Sequence, residues 1–168
     1  MDFQSIAPLA AAVAATDWKW DAAALEAILA QFGWRKQQEI AARVDYQTGD
    51  DHPASVYRDQ QAPSMIHIYL SVLEETEDLD DDELDEKYEE FHRQWVEAVE
   101  LLSRSLGTPT TTASYDEGEL ADDYGAMHLA LWQLQGASSL LTLEHQDKEL
   151  PIMLVWQIHP PISLADEG

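Results

Sequence analysis

The sequence predicts an α+β domain, a largely antiparallel sheet of about six strands with two or three helices packed on it. Three observations predict this class. Apolar residues recur every three or four positions in some stretches and alternate with polar ones in others, so helices and half-buried strands coexist. The strand-like stretches are joined by links of hairpin length, which implies antiparallel pairing. The length of 168 residues, 45% of them hydrophobic, suits a single domain, 1–168, with ample material for a core.

The elements follow in order. Residues 1–20 form an N-terminal extension with a short Ala-rich helix that starts at Ser5 and carries Pro8 in its first turn. This stretch lacks the positive start of a secretory leader, so the chain is expected in the cytoplasm. Trp18 and Trp20 fall in a connector. Asp21 caps a helix whose Leu25, Ile28, Leu29 and Phe32 make one apolar face, and Gly33 ends it. Ile40, Ala42, Val44 and Tyr46 then alternate as one strand, and a turn follows at 48–53. A short strand runs from Ala54 to Arg58. A stronger one runs from Ser64 to Leu73, with Ile66, Ile68, Leu70 and Val72 on one face.

A long helix is expected from Asp81 to Leu106. Leu84, Tyr88, Phe91, Trp95, Ala98, Val99, Leu102 and Leu106 form its packing stripe, and Gly107 and Pro109 stop it. Residues 108–123 show no periodicity and read as an acidic loop. Three strands close the domain: Tyr124 to Leu134, Ser139 to His145, and Ile152 to Ile158. Residues 160–168 are a polar tail.

Charge narrows the function classes. The formal net charge is −24, which repels phosphate and argues against direct binding to nucleic acid or an anionic membrane. No apolar run approaches the roughly 20 residues of a membrane-spanning helix. The absence of cysteine excludes disulfides, a thiol nucleophile and a cysteine zinc site. The charge is concentrated: residues 74–123 hold nineteen acids against three bases, and ten of the thirteen residues from Glu74 to Glu86 are acidic. Part of this is helix chemistry. Acids at a helix start favour its dipole, and Glu89–Arg93 and Glu100–Arg104 are spaced as surface ion pairs.

The search for chemistry returns little. Phosphate-cradling glycine loops, the nucleophile elbow and the zinc-protease motif are absent. Glu89 and His92 make one Glu-x-x-His step, where a di-metal site needs two such steps and two more glutamates. Asp78 to Asp82 lacks the turning glycine of a calcium loop. His67, His128 and His145 sit on strands and would need to converge to act as a base or a zinc site. No enzyme, cofactor or metal is therefore expected. The candidate partner-binding residues are Glu74, Glu75, Glu77, Asp78, Asp80, Asp81, Asp82, Glu83 and Glu86. With them stand Asp116, Glu117, Glu119, Asp122 and Asp123 in the loop, and Trp18 and Trp20, which either anchor a partner or seal the seam between helix and sheet.

The layout resembles small bacterial immunity proteins of polymorphic toxin systems. The resemblance rests on Ala30-Gln-Phe-Gly-Trp34 with the strands after it, on Leu106-Gly-Thr-Pro-Thr110, and on Tyr124-Gly-Ala-Met-His-Leu-Ala-Leu-Trp132 in the last strands. It implies a protein that binds a cognate toxin in the cytosol and blocks a basic active-site cleft. A second resemblance is to class I secretion chaperones, which are acidic, dimeric α+β proteins, although they usually place a helix where this sequence has its last strand. A nucleic-acid mimic that inhibits basic nucleases is a third reading of the same charge.

Overall fold

Two of the three helices begin where an aspartate is placed to cap them. The computed structural model describes residues 3–48, 52–60, 62–114, 121, 123–145, 147 and 149–162. Among these the order is a 3-10 turn (Gln4–Ile6), α1 (Ala7–Ala15), α2 (Ala22–Gln31), β1 (Arg35–Ile40), β2 (Arg43–Gln47), β3 (Ala54–Asp59), β4 (Ala62–Leu73), α3 (Asp81–Leu106), β5 (Thr111–Ser114), β6 (Ala126–Leu134), β7 (Ala137–Glu144) and β8 (Ile152–His159). Asp21 Oδ1 accepts from the Ala24 N–H at 2.8 Å, and Asp80 Oδ1 accepts from the Glu83 N–H at 2.8 Å. Each satisfies a donor that the helix itself leaves unpaired. Gly33 and Gly107 have φ of +83° and +87°, which few other residues tolerate, and they end α2 and α3.

The protein is α+β with one antiparallel sheet. Its strand order is β1-β2-β3-β4-β8-β7-β6-β5. Two four-stranded meanders thus meet at β4 and β8, with α3 as the link between them in sequence. α3 packs on β6, β7 and β8, α2 on β4, and α1 on α3. The helices therefore cover one face of the sheet. Ile66, Ile68, Trp132, Leu141, Leu154 and Trp156 fill the core beneath them. Alternation along a strand sends their neighbours to the second face. There Leu129, Leu131 and Leu140 form a smaller apolar cluster with Ala121 and Ala126.

Eight strands replace the expected six or so. The stretch expected to be one strand from Ile40 to Tyr46 turns at residues 41–42 and splits between β1 and β2. β5 lies inside the segment expected to lack structure. Both additions are edge strands. β1 is exposed along its whole length, so no apolar alternation marks it, and its pairing with β2 rests on the backbone. The first helix is also preceded by a 3-10 turn, so α1 starts at Ala7 rather than Ser5.

One irregularity changes the reading of β4. The pairing with β8 shifts between Tyr69 and Ser71. An extra residue in a strand reverses the alternation beyond it. Ser71 is consequently 7% exposed and Val72, expected in the core with Ile66 and Ile68, is 43% exposed.

Candidate functional site

The same end of β4 carries a substantial cavity. β3 pairs with β4 from Asp59↔Ala62 to Ala54↔Ile68, and the Tyr69 N–H donates to the Pro53 carbonyl at 2.9 Å. Beyond that point no strand among the described residues flanks β4 on this side. β8 still pairs on the other side as far as Leu73↔Ile152. Residues 70–73 are thus a local sheet edge. A cavity of about 800 Å³ opens along it, lined by Tyr69, Leu70, Ser71, Val72 and, across the pairing, Met153. His52 and Pro53 form a wall, and Glu74 lies at the end where β4 leaves the sheet. The volume lies within the usual range of roughly 300–1,000 Å³ for ligand sites, and the lining is largely apolar with a few polar groups, as such sites are.

The surroundings extend this character. Exposed Val72 lines the cavity, and Leu150, 46% exposed, sits on the turn before β8. The Thr76 hydroxyl donates to the Leu150 carbonyl at 3.1 Å and ties the acidic segment to that turn. A shallower depression formed by Val72, Leu73, Glu74 and Glu75 continues from the cavity onto this segment. Apolar surface and carboxylates therefore meet along one border.

All ten acids from Glu74 to Glu86 are exposed. The ion pairs of the described residues lie elsewhere, at Lys19–Asp17, Lys36–Glu26, Lys36–Glu39, Arg43–Asp45, Arg58–Glu39 and Lys87–Glu90. The charge of the run is thus not compensated by a described cation. Asp80 has a local role: the Glu83 backbone N–H holds its carboxyl below the usual range. Asp81, Asp82 and Glu83 occupy the first turn of α3, at the positive end of its dipole. Asp123 is exposed, whereas Asp116, Glu117, Glu119 and Asp122 lie outside the described residues.

Trp18 is buried in the fold and Trp20 is half-buried against it. Trp18 is 5% exposed and donates to the Val13 carbonyl at 3.2 Å. Trp20 stacks on it at 5.8 Å between ring centroids and donates to the Gly136 carbonyl at 2.9 Å. A Cβ at Gly136 would stand 3.0 Å from the Trp18 carbonyl oxygen, so the β6–β7 turn is pressed against this connector. Both indoles help seal the seam between the N-terminal helices and the sheet.

The three strand histidines do not share a site. His128 lies against His92 and Trp95 of α3, with ring centroids 4.5 and 5.4 Å away. His145 Nδ1 and the Tyr88 hydroxyl of α3 share a hydrogen bond. His67, whose β4 neighbours Ile66 and Ile68 are in the core, faces the opposite side of the sheet. No group of three His, Cys, Asp or Glu among the described residues is arranged to hold a metal.

His67 instead belongs to a polar belt across the second face that the sequence did not disclose. Its ring lies 4.8 Å from Tyr57 and 6.1 Å from Tyr69, whose hydroxyls bond each other at 2.7 Å. Towards β2, Asp45 accepts from Ser55 at 2.7 Å and pairs with Arg43 at 2.9 Å. Towards β7, His159 bonds Gln157 at 2.7 Å, and Gln157 donates to Glu144 at 3.2 Å. Thr142 donates to the same Glu144 oxygen at 2.6 Å. Burial pushes His67 down to about 4, with His159 adding to the effect, and pushes His159 down to about 4, so both are neutral at pH 7. Burial also raises the Glu144 carboxyl, against the two hydrogen bonds that favour its charged form. No pairing signal links these positions in the sequence. Only the sheet order brings β2, β3, β4, β8 and β7 side by side.

Comparison with known proteins adds a family. A family model described as a family of unknown function (DUF6301) matches residues 4–140, from the N-terminal helices to the first half of β7. No curated protein and no solved structure matches the chain.

Proposed function

The chain belongs to the DUF6301 family, and from that premise we propose that it is a cytoplasmic binding protein that occludes a cognate bacterial toxin with a basic active-site cleft. It acts as an immunity protein, not as an enzyme, and needs no cofactor. One observation carries this reading. Ten exposed acids, none ion-paired to a described cation, run on from Glu74, which lines an apolar cavity beside the exposed Val72. Recognition surfaces combine these two properties. Uncompensated charge steers the encounter and can raise association rates by roughly 10–10³. Apolar pockets then retain the partner, because desolvated anchors carry most of the binding energy. The layout resemblance to immunity proteins points to a toxin among basic partners.

The test uses the partner recovered by affinity capture from the native cell. Replacing Asp80, Asp81, Asp82 and Glu83 with Asn, Asn, Asn and Gln is expected to slow association by about tenfold and to flatten its dependence on salt. An unchanged association rate overturns steering by this run. Inhibition of the partner's activity at one-to-one stoichiometry supports occlusion. A partner that binds only when unfolded, to a dimer of this chain, supports a secretion chaperone instead.

A further inference from the structure

Resting on that reading, we infer that the β4 edge at residues 70–73 is a strand-addition seat for an extended segment of the partner that alternates apolar and basic side chains. Three features converge there. First, the described part of β3 stops short, so among the described residues β4 offers a strand edge beyond Tyr69, while β8, after the shift between Tyr69 and Ser71, pairs its other side as far as Leu73↔Ile152. A peptide laid along such an edge gains main-chain hydrogen bonds, and pockets for alternate side chains supply its specificity. Second, the cavity of about 800 Å³ lies on that edge, and Tyr69, Val72 and Met153 offer apolar surface to the side chains of one face of an added strand. Third, Glu74 and Glu75 stand at the end of the same edge, exposed and without an ion pair to a described cation. A basic residue near the end of the segment meets a carboxylate as its apolar neighbours fill the cavity.

The other sheet edges fit such a segment less well. β1 presents Arg35 and Lys36, and the Lys36 ammonium already bonds Glu26 at 3.1 Å and Glu39 at 3.0 Å. Cations on that edge repel a basic strand. β5 carries no carboxylate among its described residues, Thr111–Ser114. Among the described residues the β4 edge joins an open strand, an apolar cavity and acids without an ion pair to a described cation, and its complement is a basic, apolar, extended chain.

The test uses the full chain, labelled for amide NMR, and two peptides of alternating residues: Val with Arg, and Val with Glu. The Val–Arg peptide is expected to bind saturably. The largest amide shifts should fall at residues 69–74 and at Met153, with slowed solvent exchange at 70–73. Glu74→Lys should weaken binding by about tenfold. The quadruple neutralisation of Asp80 to Glu83 should leave this shift pattern in place. Shifts confined to residues 80–86, or equal binding of the Val–Glu peptide, would overturn the strand-addition seat, as would indifference to Glu74→Lys. The two proposals fail separately. Loss of steering with the toxin leaves the peptide seat standing, and loss of the seat leaves the steering measurement standing.

Discussion

The two meanders share one connectivity and differ in what covers them. In β5–β8 both faces of the sheet are closed: β7 is buried at every position, and Leu129, Leu131 and Leu140 make a second apolar cluster away from the helices. In β1–β4 the helix face is apolar and the second face is mostly polar among the described residues. The second face carries Arg43, Asp45, Ser55, Tyr57, His67 and Tyr69, and β1 is exposed throughout. The cause lies in the residues. β6 is apolar at most odd and even positions and β7 adds Leu140 on the second face, whereas β2 and β3 alternate apolar with polar. The later meander is therefore the foundation of the domain. The earlier one has an open face, and its last strand, β4, bears the bulge, the cavity and an edge that no described strand flanks beyond Tyr69.

The largest effect that sharpens this contrast is on stability. Leu140 is fully buried in the second cluster, and Leu140→Ala should cost about 2–5 kcal/mol in denaturant unfolding. Tyr57→Phe removes one half-buried hydrogen bond in the earlier meander and should cost about 1 kcal/mol. Equal losses at the two sites would break the division into foundation and open face.

A smaller effect concerns pH. His67 and His159 are neutral in the fold and titrate near 4, against about 6.5 in the unfolded chain. Between those values the unfolded chain binds more protons, so their contribution to stability is lost as pH falls from about 6.5 to about 4. Glu144 acts with the opposite sign. Its carboxyl is raised in the fold, so it costs stability as pH rises from the ordinary glutamate value through the folded one. In the His67→Asn, His159→Asn double variant the histidine contribution is gone. Its Tm should lie below that of the parent chain at pH 7 and converge on it towards pH 4. A constant gap across that range would contradict burial of the two imidazoles.

The smallest effect lies at the junction of the meanders. Asp80→Asn keeps a side-chain oxygen for the Glu83 N–H and should leave Tm nearly unchanged, whereas Asp80→Ala should lower it. Equal Tm for the two variants would mean that the start of α3 does not depend on its cap. The comparison separates capping from the steering charge of the same residue.

The helix over about Asp81–Leu106 was legible, because its stripe, its acidic start and its glycine stop are all local. The acidic run was legible as charge, and its exposure follows from the cost of burying unpaired carboxylates. β1 and β5 were not legible. An exposed edge strand needs no apolar alternation, and its partner strand supplies the pairing that defines it. Trp18 and Trp20 left two readings open, because a connector carries no period that says which way an indole points. Contact with the β6–β7 turn, more than a hundred residues away, fixes where the Trp20 indole lies.

The sequence by itself determined the α+β class, the helices, the strands with an apolar face and the place of the charge. These follow from local periodicity, capping and composition, which act over a few residues. Only the tertiary structure decided that two meanders join at β4 and β8, that a bulge turns Val72 out of the core, and that β4 outruns the described part of β3 to leave an edge and a cavity beside Glu74. Those features arise from register between strands distant in the chain, where one residue of shift moves every following side chain to the opposite face.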